Sequence, residues 1–118
     1  MEFRKNQAIY LQIVDLISAN IITRQWPEEE RIDSVRELAA QIEVNPNTVM
    51  RAYALLQEKE VLYNKRGVGF FVSRGAAQRV KMLKKEVFIK NDLRIFFEQM
   101  DLLGIDIDDL QQLSLIHI

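Results

Sequence analysis

At 118 residues the chain has room for one small domain, or for one domain with an appendage. It has no cysteine, which excludes a disulfide scaffold and a thiolate metal site and fits a reducing compartment. The net charge of −1 excludes a generally basic nucleic-acid coat. Charge is unevenly placed, however: Asn45 to Gly75 holds five basic and two acidic residues, Met1 to Val44 five and eight.

Apolar residues recur at helical spacing over roughly residues 7–24, where Ile13, Leu16, Ile17 and Ile21 make one stripe. Pro27 closes the segment, and Glu28-Glu29-Glu30 reads as an acidic, solvated connection. Ser34 and Glu37 then form Ser-x-x-Glu, the signature of a capping box. Behind it Val35, Leu38, Ala39 and Ile42 share the core-facing side of a second helix. Glu43-Val44 makes a turn. Asn45 suits an N-cap, and Pro46 is tolerated at the first helical position because its missing N–H needs no partner. Val49, Ala52, Tyr53 and Leu56 line the buried side of this third helix, leaving Asn47, Thr48, Met50 and Arg51 on the other. Free N–H groups at its start are expected to favour a phosphate.

Val61-Leu62-Tyr63 reads as a strand, Lys65-Arg66-Gly67-Val68-Gly69 as a basic flexible tip, and Phe70-Phe71-Val72 as the returning strand. Gly67 and Gly69 permit positive φ and close approach to a partner. Their Gly-x-Gly lacks the strand-to-helix context of a nucleotide fingerprint. Two short helices with a tight turn and then a hairpin make a winged helix-turn-helix, which usually places its second helix in the DNA major groove. There Asn can pair with adenine, Arg with guanine, and Thr can meet phosphate or a thymine methyl. A solvated helix face accounts for those residue types on their own; the hairpin that follows tips the balance.

Beyond Gly75 the pattern predicts a long amphipathic helix over about 76–103, with Gly104 as C-cap. Asp106 or Asp108 would cap a last short helix carrying Leu110, Leu113 and Leu115. Two helices cannot bury that much apolar surface alone, so they must pack on the first domain or on a second copy. The expected fold is mostly α with a small β-hairpin. It comprises a winged helix-turn-helix domain over 1–75 and a helical dimerisation appendage over 76–118. Val80, Leu83, Val87, Leu93, Phe96, Phe97 and Met100 are the candidate dimerisation residues.

Three segments also carry a family resemblance: Ser34-Val35-Arg36-Glu37-Leu38-Ala39, Val44-Asn45-Pro46-Asn47-Thr48-Val49 and Arg66-Gly67-Val68-Gly69. Across roughly residues 7–73 the chain resembles the GntR family of bacterial transcription regulators. Its tail is similar to the YtrA-like branch, which has a two-helix dimerisation appendage instead of a large effector domain. The resemblance implies a cytoplasmic homodimer that represses transcription from an inverted-repeat, double-stranded operator. It implies DNA contacts by Arg36 from the first helix of the motif, by Asn45, Asn47, Thr48 and Arg51 from the recognition helix and its cap, and by Arg66 and Gly67 from the wing. Ser34 and Lys65 are added to that set from their places in the capping box and the basic tip. The chain departs from the family pattern at Asp33, usually proline, at Pro46, often arginine, and at Glu43 and Glu60, frequently glycine.

A winged-helix module that binds protein instead of DNA is the alternative reading, favoured by the near-neutral charge and the apolar tail. An enzyme is not expected: no nucleophile–base pair is evident, and the single histidine, His117, lies near the chain end. No cofactor is expected. No metal is expected either, since Asp106, Asp108 and Asp109 suit helix capping and lack the glycine and glutamate of a calcium loop. The start of the chain has no signal-peptide pattern, and no apolar run approaches the ~18–20 residues that span a bilayer, so no membrane partner is expected. Any small-molecule effector would sit between the tail helices or at the dimer interface. Trp26, Phe96, Phe97 and Met100 are apolar candidates for it, although core packing explains them first.

Overall fold

The first three helices share one core because their apolar positions follow the helical repeat. The computed structural model describes residues 7–117, with the His117 side chain outside that set. The expectation of no leader sequence rests on Met1–Asn6, which lie outside the described residues. Helix α1 spans Ile9–Ile22, α2 Val35–Ile42 and α3 Pro46–Glu58. Ile13, Ile17 and Ile21 of α1 and Val49, Ala52 and Tyr53 of α3 have no exposed surface. Strands β1 (Leu62–Lys65) and β2 (Gly69–Val72) pair antiparallel, with Leu62 opposite Val72 and Lys65 opposite Gly69. Mostly helical structure with one antiparallel hairpin is the fold class expected above. Among the described residues no helix is long and apolar enough to cross a membrane.

The hairpin begins one residue later than expected. Glu60 adopts a left-handed φ of 61° and Val61 donates its N–H to the Leu56 carbonyl at 2.8 Å, so Val61 finishes the turn after α3. Lys65 belongs to the strand and leaves Arg66, Gly67 and Val68 as the tip.

The acidic connection is more ordered than a solvated loop. Glu29 and Ile32 donate N–H groups to the carbonyls of Val72 and Phe70 at 2.7 and 2.9 Å, and Glu30 accepts from Val72 at 3.1 Å. Residues 29–32 thus cover the free edge of β2. The Glu28 carboxylate accepts N–H groups from Gly75 at 2.7 Å and Ala77 at 3.4 Å and pairs with Arg24 at 3.0 Å. These groups lie at the start of helix α4 (Ala76–Val87), whose first N–H groups have no partner within the helix. The Gly75 N–H, then Ala77 and Arg24, hold the Glu28 carboxyl below its ordinary value of 4.5. A carboxyl depressed in the folded state stabilises above the unfolded value, and that contribution is lost as pH falls through the folded value. Thermal unfolding below pH 4.5 should therefore show an acid-dependent loss of melting temperature that Glu28→Gln partly flattens.

Glu43 also adopts a left-handed backbone, with φ 56° and ψ 50°, where it ends α2 and its N–H reaches the Ala39 carbonyl. The penalty for a side chain in that region is about 1–2 kcal/mol, and glycine's extra freedom when unfolded returns part of it. Glu43→Gly is expected to raise stability by about 0.5–1 kcal/mol in denaturant unfolding.

The chain divides into compact units Met1–Met82 and Leu83–Ile118. The packing boundary falls inside α4 because Ala76, Ala77 and Val80 join the core of the first unit. In the second unit the helical course expected to 103 is kept, but a π-helical stretch, Phe88–Leu93, precedes helix α5 (Arg94–Leu103). Gly104 closes α5 with φ 68°. Asp106 caps helix α6 (Ile107–His117): its carboxylate accepts the Asp109 N–H at 2.9 Å, and Asp109 returns the bond at 3.1 Å. Capping therefore occupies both carboxylates.

Candidate nucleic-acid interface

Two caps fix the helix-turn-helix. The Ser34 hydroxyl accepts the Glu37 N–H at 3.1 Å, while the Glu37 carboxylate accepts the Ser34 N–H at 3.0 Å. That second bond, ahead of the Ser34 hydroxyl and the Arg31 charge, lowers the Glu37 pKa. At the next helix Asn45 Oδ1 accepts the Asn47 N–H at 2.8 Å. The Asn45 carbonyl accepts Thr48 and Val49 at 2.9 and 3.3 Å, and Pro46 has no N–H to offer. The free donors expected to meet a phosphate at the start of α3 are thus already used. This end of α3 must reach a partner through side chains, aided by the helix dipole.

Asn47 and Arg51 stand exposed on α3, opposite the side buried by Val49, Ala52, Tyr53 and Leu56, and Thr48 is half-buried beside them. Asn45 is exposed, but its carboxamide oxygen is committed to the cap and only its NH₂ is available to donate. Ser34 is half-buried, with its hydroxyl proton similarly available, and Arg36 is exposed on α2.

On the hairpin Arg66 and Gly67 are exposed at the tip, where Gly67 takes φ 79° and the Val68 N–H closes the turn onto the Lys65 carbonyl at 2.9 Å. The Lys65 ammonium lies 4.7 Å from the Phe71 ring centre, and that ring stacks on Tyr63 with centres 5.4 Å apart. The wing is therefore a cationic tip on an ordered aromatic face.

Two contributors escaped sequence reasoning. Arg31 is exposed, and its guanidinium crosses Gly69: a Cβ on that glycine would stand 3.0 Å from Arg31 Nε. The lone arginine inside an acidic run, three residues before the capping serine, was the available signal. Tyr10 falls inside the first predicted helix with no role assigned to it, yet the Arg51 guanidinium carbon lies 3.8 Å from its ring centre. Nothing in the spacing of residues 10 and 51 announces that contact.

The tail candidates divide. Val80 is buried in the core of the first unit, so it is not free for a second chain, and Met100 is only 7% exposed. Leu83, Val87, Phe96 and Phe97 are exposed, and Leu93 is half-buried. Of the effector candidates, Trp26 lines a groove of about 300 Å³ in the first unit and Phe97 one of about 430 Å³ in the second.

The pattern of bacterial regulatory proteins of the gntR family matches residues 9–72. The HTH-type transcriptional repressor YtrA of Bacillus subtilis (strain 168) is 28% identical over 109 residues, 92% of this chain and 83% of that one. A crystal structure of a putative GntR-family transcriptional regulator from Bacteroides thetaiotaomicron superposes with a TM-score of 0.81 at 48% identity, covering 93% of this chain and 96% of that chain. The AraR DNA-binding domain in complex with operator ORX1 matches with a TM-score of 0.55 at 26% identity, over 61% of this chain and 93% of that one. The matched residues 9–72 take in the capped helix pair, the exposed polar side of α3 and the glycine-turned wing: the chain belongs to the gntR family of bacterial regulatory proteins.

Proposed function

We propose that this DNA-binding transcription regulator acts as a homodimeric repressor on an inverted-repeat operator. In this reading α3 enters the major groove and the tip around Arg66 approaches the neighbouring minor groove. The observation that carries it is the exposed Asn47 and Arg51 on α3 together with Lys65 and Arg66 on the wing and Arg31 against its β2 edge, all in the same unit. Asn45, Thr48, Arg36 and Ser34 supply further contacts, and Gly67 lets the tip backbone come close. The work is binding, not catalysis, and belongs in the cytoplasm with the DNA.

Dimerisation is assigned to the second unit. Phe96, Phe97, Val87, Leu102 and Leu103 are between 43% and 83% exposed there, more apolar surface than a lone helical pair leaves to water. Two copies of α3 would read half-sites about one helical turn, ~34 Å, apart. Phe96→Glu with Phe97→Glu is expected to give a monomer by sedimentation and to weaken operator binding at least about tenfold, because paired half-sites are no longer engaged together. An effector, where one is sensed, would take the apolar groove beside Phe97, lined also by Ile89, Leu93 and Arg94.

The test is a titration of fluorescent DNA from the gene's own upstream region, at two salt concentrations, against an unrelated duplex. Tight, selective, salt-sensitive binding supports the reading. Absence of DNA binding at either salt shifts it to the protein-binding alternative, which the exposed apolar tail would serve.

A further inference from the structure

We infer that Tyr10 is a positioning residue for base reading: it holds the Arg51 guanidinium in the orientation that operator recognition requires. This rests on the assignment of Arg51 to the DNA face of α3. The observation is the guanidinium carbon 3.8 Å above the Tyr10 ring centre, a contact between α1 and the side of α3 that carries Asn47.

Packing alone does not call for an aromatic residue there. Ile13, Ile17 and Ile21 seat α1 in the core with no exposed surface, whereas Tyr10 remains half-buried. An aliphatic side chain would cover the same ground. What an aromatic ring adds is a negative face for a cation.

The geometry of the contact also matters. Guanine is read by two parallel N–H bonds from the guanidinium edge to O6 and N7. A carboxylate partner would occupy that edge with hydrogen bonds, whereas attraction to a ring face requires none. Among the described residues no carboxylate pairs with Arg51. The side chain is long and flexible, and ordering it before encounter reduces the entropy lost on binding. Tyr10 thus makes the start of α1 part of the reading apparatus without touching a base.

The experiment compares Tyr10→Phe, Tyr10→Leu, Arg51→Ala and the double variant Tyr10→Leu/Arg51→Ala. Each is titrated against the fluorescent operator and its single-base-pair variants, with thermal unfolding run alongside. Tyr10→Phe should bind within about twofold of the parent, because the ring face is kept. Tyr10→Leu should bind about 3- to 10-fold more weakly, with an unchanged salt slope. The loss should appear only at the base pair that Arg51→Ala ceases to distinguish, and the double variant should be no weaker than Arg51→Ala. Should Tyr10→Leu lower the melting temperature, Tyr10→Met gives the same contrast.

A Tyr10→Leu loss that is uniform across sequences, or that adds to that of Arg51→Ala, overturns the inference. So does unchanged affinity in Tyr10→Leu while Arg51→Ala binds weakly, and in both cases the assignment of Arg51 survives. If Arg51→Ala itself keeps full affinity and base preference, the assignment of Arg51 falls and the inference falls with it.

Discussion

Tyr53→Ala is expected to lower the stability of the first unit by about 3–5 kcal/mol in urea unfolding, the usual cost of deleting a buried aromatic side chain. Tyr53 has no exposed surface. Its ring meets Phe70 of β2 edge-on, with centres 5.0 Å apart, and its hydroxyl donates to the Asp33 carbonyl at 2.7 Å. One side chain therefore ties α3 to the wing and to the residue just ahead of α2. Burial, then the nearby charges of Asp33 and Glu37, push the phenol pKa far above its ordinary value, so the hydroxyl remains a donor throughout the physiological range. Tyr53→Phe keeps the ring and should lose only about 0.5–1.5 kcal/mol. Against a typical total of ~5–15 kcal/mol, that loss takes between about a fifth and all of the stability of the first unit. A loss below about 1 kcal/mol in Tyr53→Ala would show that the three elements do not depend on this contact.

Arg51→Ala and Arg66→Ala should both weaken operator binding, in distinguishable ways. A lost bidentate base contact costs about 1–3 kcal/mol, roughly 5- to 150-fold in Kd. For Arg51→Ala we expect that loss on the operator, together with relaxed preference at one base pair in each half-site. Arg66 lies at the tip with its guanidinium in solvent, where phosphate is the nearest kind of partner. Arg66→Ala should therefore weaken operator and unrelated DNA alike and reduce the slope of log K against log salt by about 1. Titrations on both duplexes at four salt concentrations separate the two behaviours. Parent-like affinity in both variants would remove the assigned surface.

The parts of this fold that were legible in the sequence are those fixed by local chemistry. Ser34 with Glu37, and Asn45 with Pro46, announce two helix starts because caps act over two or three residues. Glu43 and Glu60, where the family resemblance implies frequent glycine, take the left-handed backbone that glycine serves. Other features depended on partners distant in sequence. Glu28 looked like one acid in a solvated run, yet it binds N–H groups 47 and 49 residues away. Val80 looked like part of the tail's exposed stripe, but the core of the first unit extends far enough along α4 to bury it. The candidate site was legible as a set of exposed polar residues on α3 and the wing. Arg31 and Tyr10 were not, because each acts by lying across an element that folding alone brings near.

The closed first turn of α3 bears on how this protein can change. With Asn45 taking up its donors and Pro46 lacking one, the main chain makes no commitment to any nucleotide sequence. In the proposed reading Asn47 and Arg51 can be exchanged without disturbing the hydrogen bonds that build the helix, so new operator preferences would lie a substitution or two away from a chain that still folds. Asn45 and Ser34 lack that freedom, because each holds a helix end. Duplicated copies would be expected to diverge at 47 and 51 first, and libraries randomised there should yield altered binding while keeping the parent's melting behaviour.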